Sequence, residues 1–235
     1  WRNHVINVMK KLTVIVGVFI LFASCNSGSE TCGASSTELK TVIESYQNHK
    51  GYDKEKHPLG LFTREYYKAE SDFAQQQLEY FGCVKLEDLS ETERISAELL
   101  KSVLQDKIDF YTYERFLNPL LSDSGFHSNL NYMILPFSDY ESVKDYLNKL
   151  NAIPEFVDQH FVNLREGLEK GVSQPRVIFK GYESTYNNHI VKNYESSYFY
   201  SPFRNLPENL SSAQKDSVLS AAKEAIENNV TPQFK

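Results

Sequence analysis

Val157, Phe161, Leu164 and Leu168 fall at i, i+4, i+7 and i+11, which puts them on one face of a helix, with Asp158, Gln159, Asn163, Glu166 and Lys170 on the other. Pro154 stands just before this row and Gly171 just after it. Proline fits the first turn of a helix, where its missing N–H has no partner to lose, and glycine fits the left-handed residue that closes one. Pro175 offers another start. The stretch from Leu147 to Tyr200 therefore predicts a helix ending at Pro154, an amphipathic helix from there to Gly171, and a third helix begun at Pro175. An amphipathic helix has to lie on a core, and the rest of the chain offers helices to build one.

Ser36-Thr37 open a helix to about His49, and Gly51-Tyr52-Asp53 with Pro58-Leu59-Gly60 break the chain after it. Thr63 caps a helix carrying Tyr67, Ala74, Leu78 and Phe81, which Gly82 ends. Ser90 and Glu93 form a capping box for a long helix to about Phe116, with Leu100, Leu104, Ile108 and Tyr111 on one face and Pro119 beyond it. Ser138 with Glu141 and Ser211 with Gln214 have the same spacing. The first leads a helix with the stripe Tyr140, Val143, Leu147 and Leu150, the second a helix through Leu219, Ala222 and Ile226. Strand-like alternation is confined to Asn131–Phe137. The fold class is all-α, a multi-helix bundle. The final helix, followed only by Asn229–Lys235, is expected to leave its apolar face seeking a partner.

Leu150-Asn151-Ala152-Ile153-Pro154, Asn163-Leu164-Arg165-Glu166-Gly167, Gly171-Val172 with Pro175-Arg176-Val177, and Tyr200-Ser201-Pro202-Phe203 together resemble the bacterial family DUF885. The likeness runs from about Leu59 to Lys235. It implies a mostly helical, exported and often lipid-anchored protein with a zinc-peptidase-like site. In that family the presumed zinc site is a His-Glu-x-x-Pro-Gly-His stretch in the later half of the chain, a stretch this sequence does not reach. The resemblance thus implies the N-terminal part of a larger helical protein, with zinc in the complete protein and none held by this chain.

The N-terminus carries its own instruction. After Met9 come Lys10-Lys11, the apolar run Leu12–Ala23 and Ser24-Cys25, the order of an export signal, and Trp1–Val8 read as an upstream extension. The run is shorter than the roughly 20 residues a membrane span needs. Phe22-Ala23-Ser24-Cys25 resembles a bacterial lipobox, with Phe where Leu is usual, so Cys25 is the expected lipidation site. Asn26–Glu30 reads as a tether. The predicted organisation is residues 1–24 as extension and signal, 25–36 as lipidated cysteine and tether, and 37–235 as the helical domain.

Removing residues 1–24 takes away Arg2, Lys10 and Lys11 and no acid, so the formal charge falls from −6 to −9. Nucleic-acid binding, which leaves a basic footprint, is excluded on that balance. An acidic body is not drawn to an anionic membrane either, so lipid on Cys25 is the expected attachment. Export allows a Cys32–Cys83 disulfide, although Cys32 falls in the tether.

Histidines at His4, His49, His57, His127, His160 and His189 show no spacing that places two on one helical turn. His160 and His189 flank or join apolar stripes and read as core histidines; His127 lies in a loop and reads as solvated. No Gly-x-Ser-x-Gly elbow occurs, Cys83 has no nearby histidine, and the acid pairs Glu91/Glu93 and Glu166/Glu169 fall on polar faces. No catalytic residue is assigned. Tyr194, Tyr198, Tyr200 and Arg204 form the best binding surface, suited to a sugar ring or a peptide carboxylate, though the same aromatics would also plug a helix end. Arg176, a cation in a predicted first helical turn, is the residue expected to meet a carboxylate.

Two functions follow. One is the helical part of a lipid-anchored envelope metallopeptidase, partnered by the rest of the same protein and by a peptide substrate. The other is a self-contained lipid-anchored module that binds or scaffolds peptide or glycan without catalysis.

Overall fold

The computed structural model describes residues 32–121 and 125–235. The signal-like run, Cys25 and Asn26–Glu30 lie outside the described residues, as does Ser124 of the loop before His127. Among the described residues the regular structure is helical, with an isolated antiparallel bridge between Leu120 and Gly125. Helix α1 covers Ser35–Asn48, α2 Arg64–Tyr80, α3 Glu91–Thr112, α4 Phe126–Asn129, α5 Tyr140–Glu169 and α6 Ser212–Ala225. None of the described helices is long and apolar enough to cross a membrane.

The starts follow local chemistry. Thr63 accepts from the Tyr66 N–H, and Ser90/Glu93 and Ser211/Gln214 form reciprocal capping boxes. The fourth start is displaced by one residue: Asp139, not Ser138, caps α5, and its partner is Ser142 rather than Glu141. Helix α3 ends at Thr112, before the expected Phe116, where Glu114 turns left-handed at φ 49°.

Helix α5 corrects the reading of Pro154. The chain does not break there; a single helix of 30 residues runs through it. A proline inside a helix costs about 3 kcal/mol, because it removes an N–H and crowds the preceding turn. Val143, Tyr146, Leu150, Ile153 and Val157 are buried along one face spanning the proline. Each buried side chain of this size contributes roughly 1.5–3 kcal/mol, so the stripe outweighs the proline. Gly171, at φ 76°, closes α5 as expected. Gly167 is buried where α5 crosses the 3-10 turn Arg115–Leu117; a Cβ there would stand 2.5 Å from the Leu117 carbonyl oxygen.

The helix expected from Pro175 does not form. The chain instead makes short 3-10 turns at Arg176–Phe179, Tyr182–Thr185, Asn187–His189, Tyr194–Ser196 and Tyr198–Arg204. Gly181, left-handed at φ 80°, interrupts the first pair. Asn131–Phe137 is not a strand; it begins in the 3-10 turn Leu130–Met133.

Residues 34–235 pack around two hydrophobic clusters. The first joins α1, α2 and α3 through Leu39, Val42, Ala74, Ala97 and Leu104. The second packs α5 on α6 and on a following π-helical turn, Ile226–Val230, with Phe199 and Phe203 filling its side. The last helix is therefore not short of a partner: Val218, Ala222, Ala225 and Ile226 are buried in this core. Arg64 ties the clusters together, pairing with Glu114 at 2.7 Å and with Glu166, while Lys170 reaches the same two carboxylates at 2.6 and 2.9 Å. Cys32 and Cys83 are both disulfide-bonded.

Candidate functional site

Helix α4, the middle of α5, the turn Tyr182–Thr185 and the final turn Thr231–Phe234 line a half-open cavity of about 280 Å³. Its walls are mostly rings and aliphatic chains: Phe126, Leu130, Val157, Phe161, Tyr182, Tyr186 and Phe234, with Gln233 and Lys235 at one side. The bridge to Leu120 brings the chain in at Gly125, where a Cβ would lie 2.8 Å from the Tyr182 hydroxyl and 3.1 Å from His127 Nδ1. Only a glycine lets the backbone pass so close.

His127 is buried in this wall rather than solvated. Its Nε2 lies 2.9 Å from Thr185 Oγ1, and that hydroxyl donates its single proton to the Tyr182 carbonyl at 2.7 Å. Thr185 must then accept from His127, which places the imidazole proton on Nε2 and leaves Nδ1 as an acceptor. Burial, and then the neighbouring His189, push the His127 pKa down, so the ring is neutral at pH 7. His189 is also buried and pushed down by burial, its ring 4.6 Å from Phe234 and its Nδ1 without a hydrogen-bond partner. His160 lies among Phe62, Phe126 and Phe156 at 4.5, 4.5 and 4.7 Å, with neither ring nitrogen bonded. Burial pushes its pKa down to about 4.

These histidines do not fit zinc. Among the described residues no three histidine, cysteine or acidic side chains converge on a metal position. His127 commits Nε2 to Thr185, and His160 is wrapped by phenyl rings. The cavity, with neutral His127 in its wall, has the chemistry of an apolar receptor with a few fixed polar atoms, suited to an uncharged or aromatic group.

The aromatic stretch picked out in the sequence divides in two. Phe199 and Phe203 are buried in the second core cluster, not plugging a helix end, since no helix runs from Pro175. Tyr194 meets Tyr200 edge-on at 5.2 Å with the Lys223 ammonium 5.6 Å over its ring, and Arg204 donates to the Glu195 carbonyl at 2.8 Å. Tyr198 points outward, 55% exposed. Arg176 is exposed in the turn Arg176–Phe179, not in the first turn of a helix.

A second polar centre was not singled out in the sequence. Glu70, only 7% exposed, receives His49 Nε2 at 2.7 Å and Lys107 Nζ at 2.5 Å. Burial opposes its charge, but the hydrogen bonds from Lys107 and His49 prevail and hold the carboxyl below the usual range. The clue available in the sequence was a carboxylate on the same row as Ala74 and Gln77, the buried face of α2.

A family model described as a bacterial protein of unknown function, DUF885, matches residues 45–235. No curated protein and no solved structure matches the chain.

Proposed function

The chain belongs to the DUF885 family, and from that premise we propose that it is the helical N-terminal part of a lipid-anchored envelope protein that hydrolyses peptide bonds, with the zinc held elsewhere in the protein. The observation that carries the reading is the aromatic cavity. Its rings and the neutral His127 favour an uncharged side chain, with Gln233 and Lys235 as the polar residues at one side. Such a cavity selects and holds a peptide; the bond-breaking groups belong to another part of the protein.

When bound, zinc polarises a carbonyl and makes water a nucleophile at neutral pH. The residues described here do other work. Phe161, Tyr182 and Tyr186 exclude water around a substrate side chain, and His127 Nδ1 accepts one hydrogen bond from it. Lipid on Cys25 holds the assembly at the membrane, which the acidic body would not do by charge. The disulfide state of Cys32 and Cys83 supports an oxidising, extracytoplasmic setting.

The test is to isolate the native protein from its cell with an antibody to residues 147–235, then measure its mass, zinc content and peptidase activity. The reading expects a species well above 27.1 kDa with bound zinc and chelator-sensitive release of amino acids from peptides. It also expects Phe161→Ala to raise KM for peptides with large apolar side chains more than it lowers kcat. A zinc-free species that binds peptide or glycan without cleaving it would instead support the binding-module reading, which the same cavity favours.

A further inference from the structure

A second recess, about 1140 Å³, opens over the buried Glu70 and shares no lining residue with the aromatic cavity. Its floor is rigid. His49, which donates its Nε2–H to the Glu70 carboxylate, is stacked on Phe73 at 3.6 Å and 7°, so its ring plane is set from behind. Along one wall the chain leaves α1 and passes so close to α2 that a Cβ on Gly51 would collide with Glu70 Oε1 and stand 3.2 Å from the Tyr66 ring. That approach brings Tyr52 edge-on to Tyr66, ring centres 5.7 Å apart. Burial, then the charge of Glu70, pushes the Tyr66 pKa up to about 12, so it stays a hydroxyl.

The charges around the recess cancel. The lining holds three lysines, Lys50, Lys54 and Lys107, and three acids, Asp53, Glu55 and Glu70, so its formal charges sum to zero. What remains is a mixture of fixed donors and acceptors, the amides of Gln47 and Asn48 among them, beside half-buried tyrosine rings. The volume exceeds the roughly 300–1,000 Å³ of ordinary small-molecule pockets, which favours an extended ligand. Sugars combine these needs: hydroxyls that both donate and accept, no charge, and apolar C–H faces that lie on tyrosine rings.

We propose that the cleft over Glu70, walled by Tyr46, Tyr52 and Tyr66, is a binding site for an uncharged oligosaccharide. Glu70 and Lys107 hydrogen-bond ring hydroxyls from below while Tyr52 covers the sugar face. The proposal does not rest on the peptidase reading.

Calorimetric titration of the whole chain with hexa-N-acetylchitohexaose, cellohexaose and maltohexaose tests it. At least one sugar is expected to bind with one-to-one stoichiometry, and Tyr52→Ala, in an exposed loop, is expected to weaken it about ten-fold. Glu70→Gln should weaken it as well; if that variant fails to fold, Tyr52→Ala alone decides. Tyr132→Ala, an exposed tyrosine that lines neither recess, should leave the affinity unchanged. Absence of binding to all three sugars, equal affinity in Tyr52→Ala, or equally tight competition by an uncharged hexa-alanine peptide would overturn the proposal.

Discussion

Replacing His160 by leucine should flatten the acid limb of the stability curve. The ring is buried among three phenylalanines, and its pKa is pushed from 6.5 to about 4. In the unfolded chain it protonates near 6.5; in the fold it resists until about pH 4. Between those values the unfolded state binds one more proton, so the contribution is fully present above pH 6.5 and is lost as pH falls towards 4. A gap of about 2.5 pH units at about 1.4 kcal/mol each amounts to about 3 kcal/mol. Urea unfolding at pH 7.0, 6.0, 5.0 and 4.5 would measure it in both proteins. At pH 7 the leucine variant should be equal or more stable, because two unbonded ring nitrogens no longer sit in an apolar site. Its advantage should widen by roughly 2.4 kcal/mol by pH 4.5, the rest of the gap opening only below that pH. Carboxylates and the other histidines titrate in both proteins and cancel in the difference. Parallel curves for the two would refute the account of a neutral, desolvated imidazole.

Gly167→Ala should destabilise by about 1–3 kcal/mol in the same unfolding assay, since the new methyl meets the Leu117 carbonyl oxygen at 2.5 Å. Tyr146→Phe removes a buried hydroxyl that donates to the Phe199 carbonyl at 2.9 Å and should cost about 1–3 kcal/mol; no loss would mean that water replaces the bond. Pro154→Ala should raise the melting temperature, restoring an N–H inside α5 for a gain of up to about 3 kcal/mol, and a lower melting temperature would show that the proline ring packs better than the helix bonds it displaces.

The helix starts were legible because a cap is written in four consecutive residues: Thr63, Ser90 with Glu93 and Ser211 with Gln214 needed no distant partner. Pro154 misled for the complementary reason. Proline's dislike of helix interiors is local, whereas the row Val143, Tyr146, Leu150, Ile153 and Val157 draws its free energy from α6 and the turns that cover it. The same row was readable at helical spacing straight across the proline. The stretch after Pro175 looked helical from the proline itself, yet left-handed Gly181 and successive 3-10 turns take its place. Of the sites, Tyr194, Tyr200 and Arg204 were visible as a local run. The burial of His127 was not, because it depends on Thr185, nor was the Glu70 centre, whose partners are 21 and 37 residues away.

The division of the core also bears on how the chain acquires its shape. The cluster of α1, α2 and α3 draws only on residues between Leu39 and Ile108, while the other must bring α5 against residues as late as Phe234. Loop closure is cheaper over the shorter span, so the first cluster should assemble early during synthesis and the second wait for the last turns to emerge. In the native state the two should exchange amide hydrogens as separate cooperative units, with Arg64, Glu114, Glu166 and Lys170 as the seam along which they part.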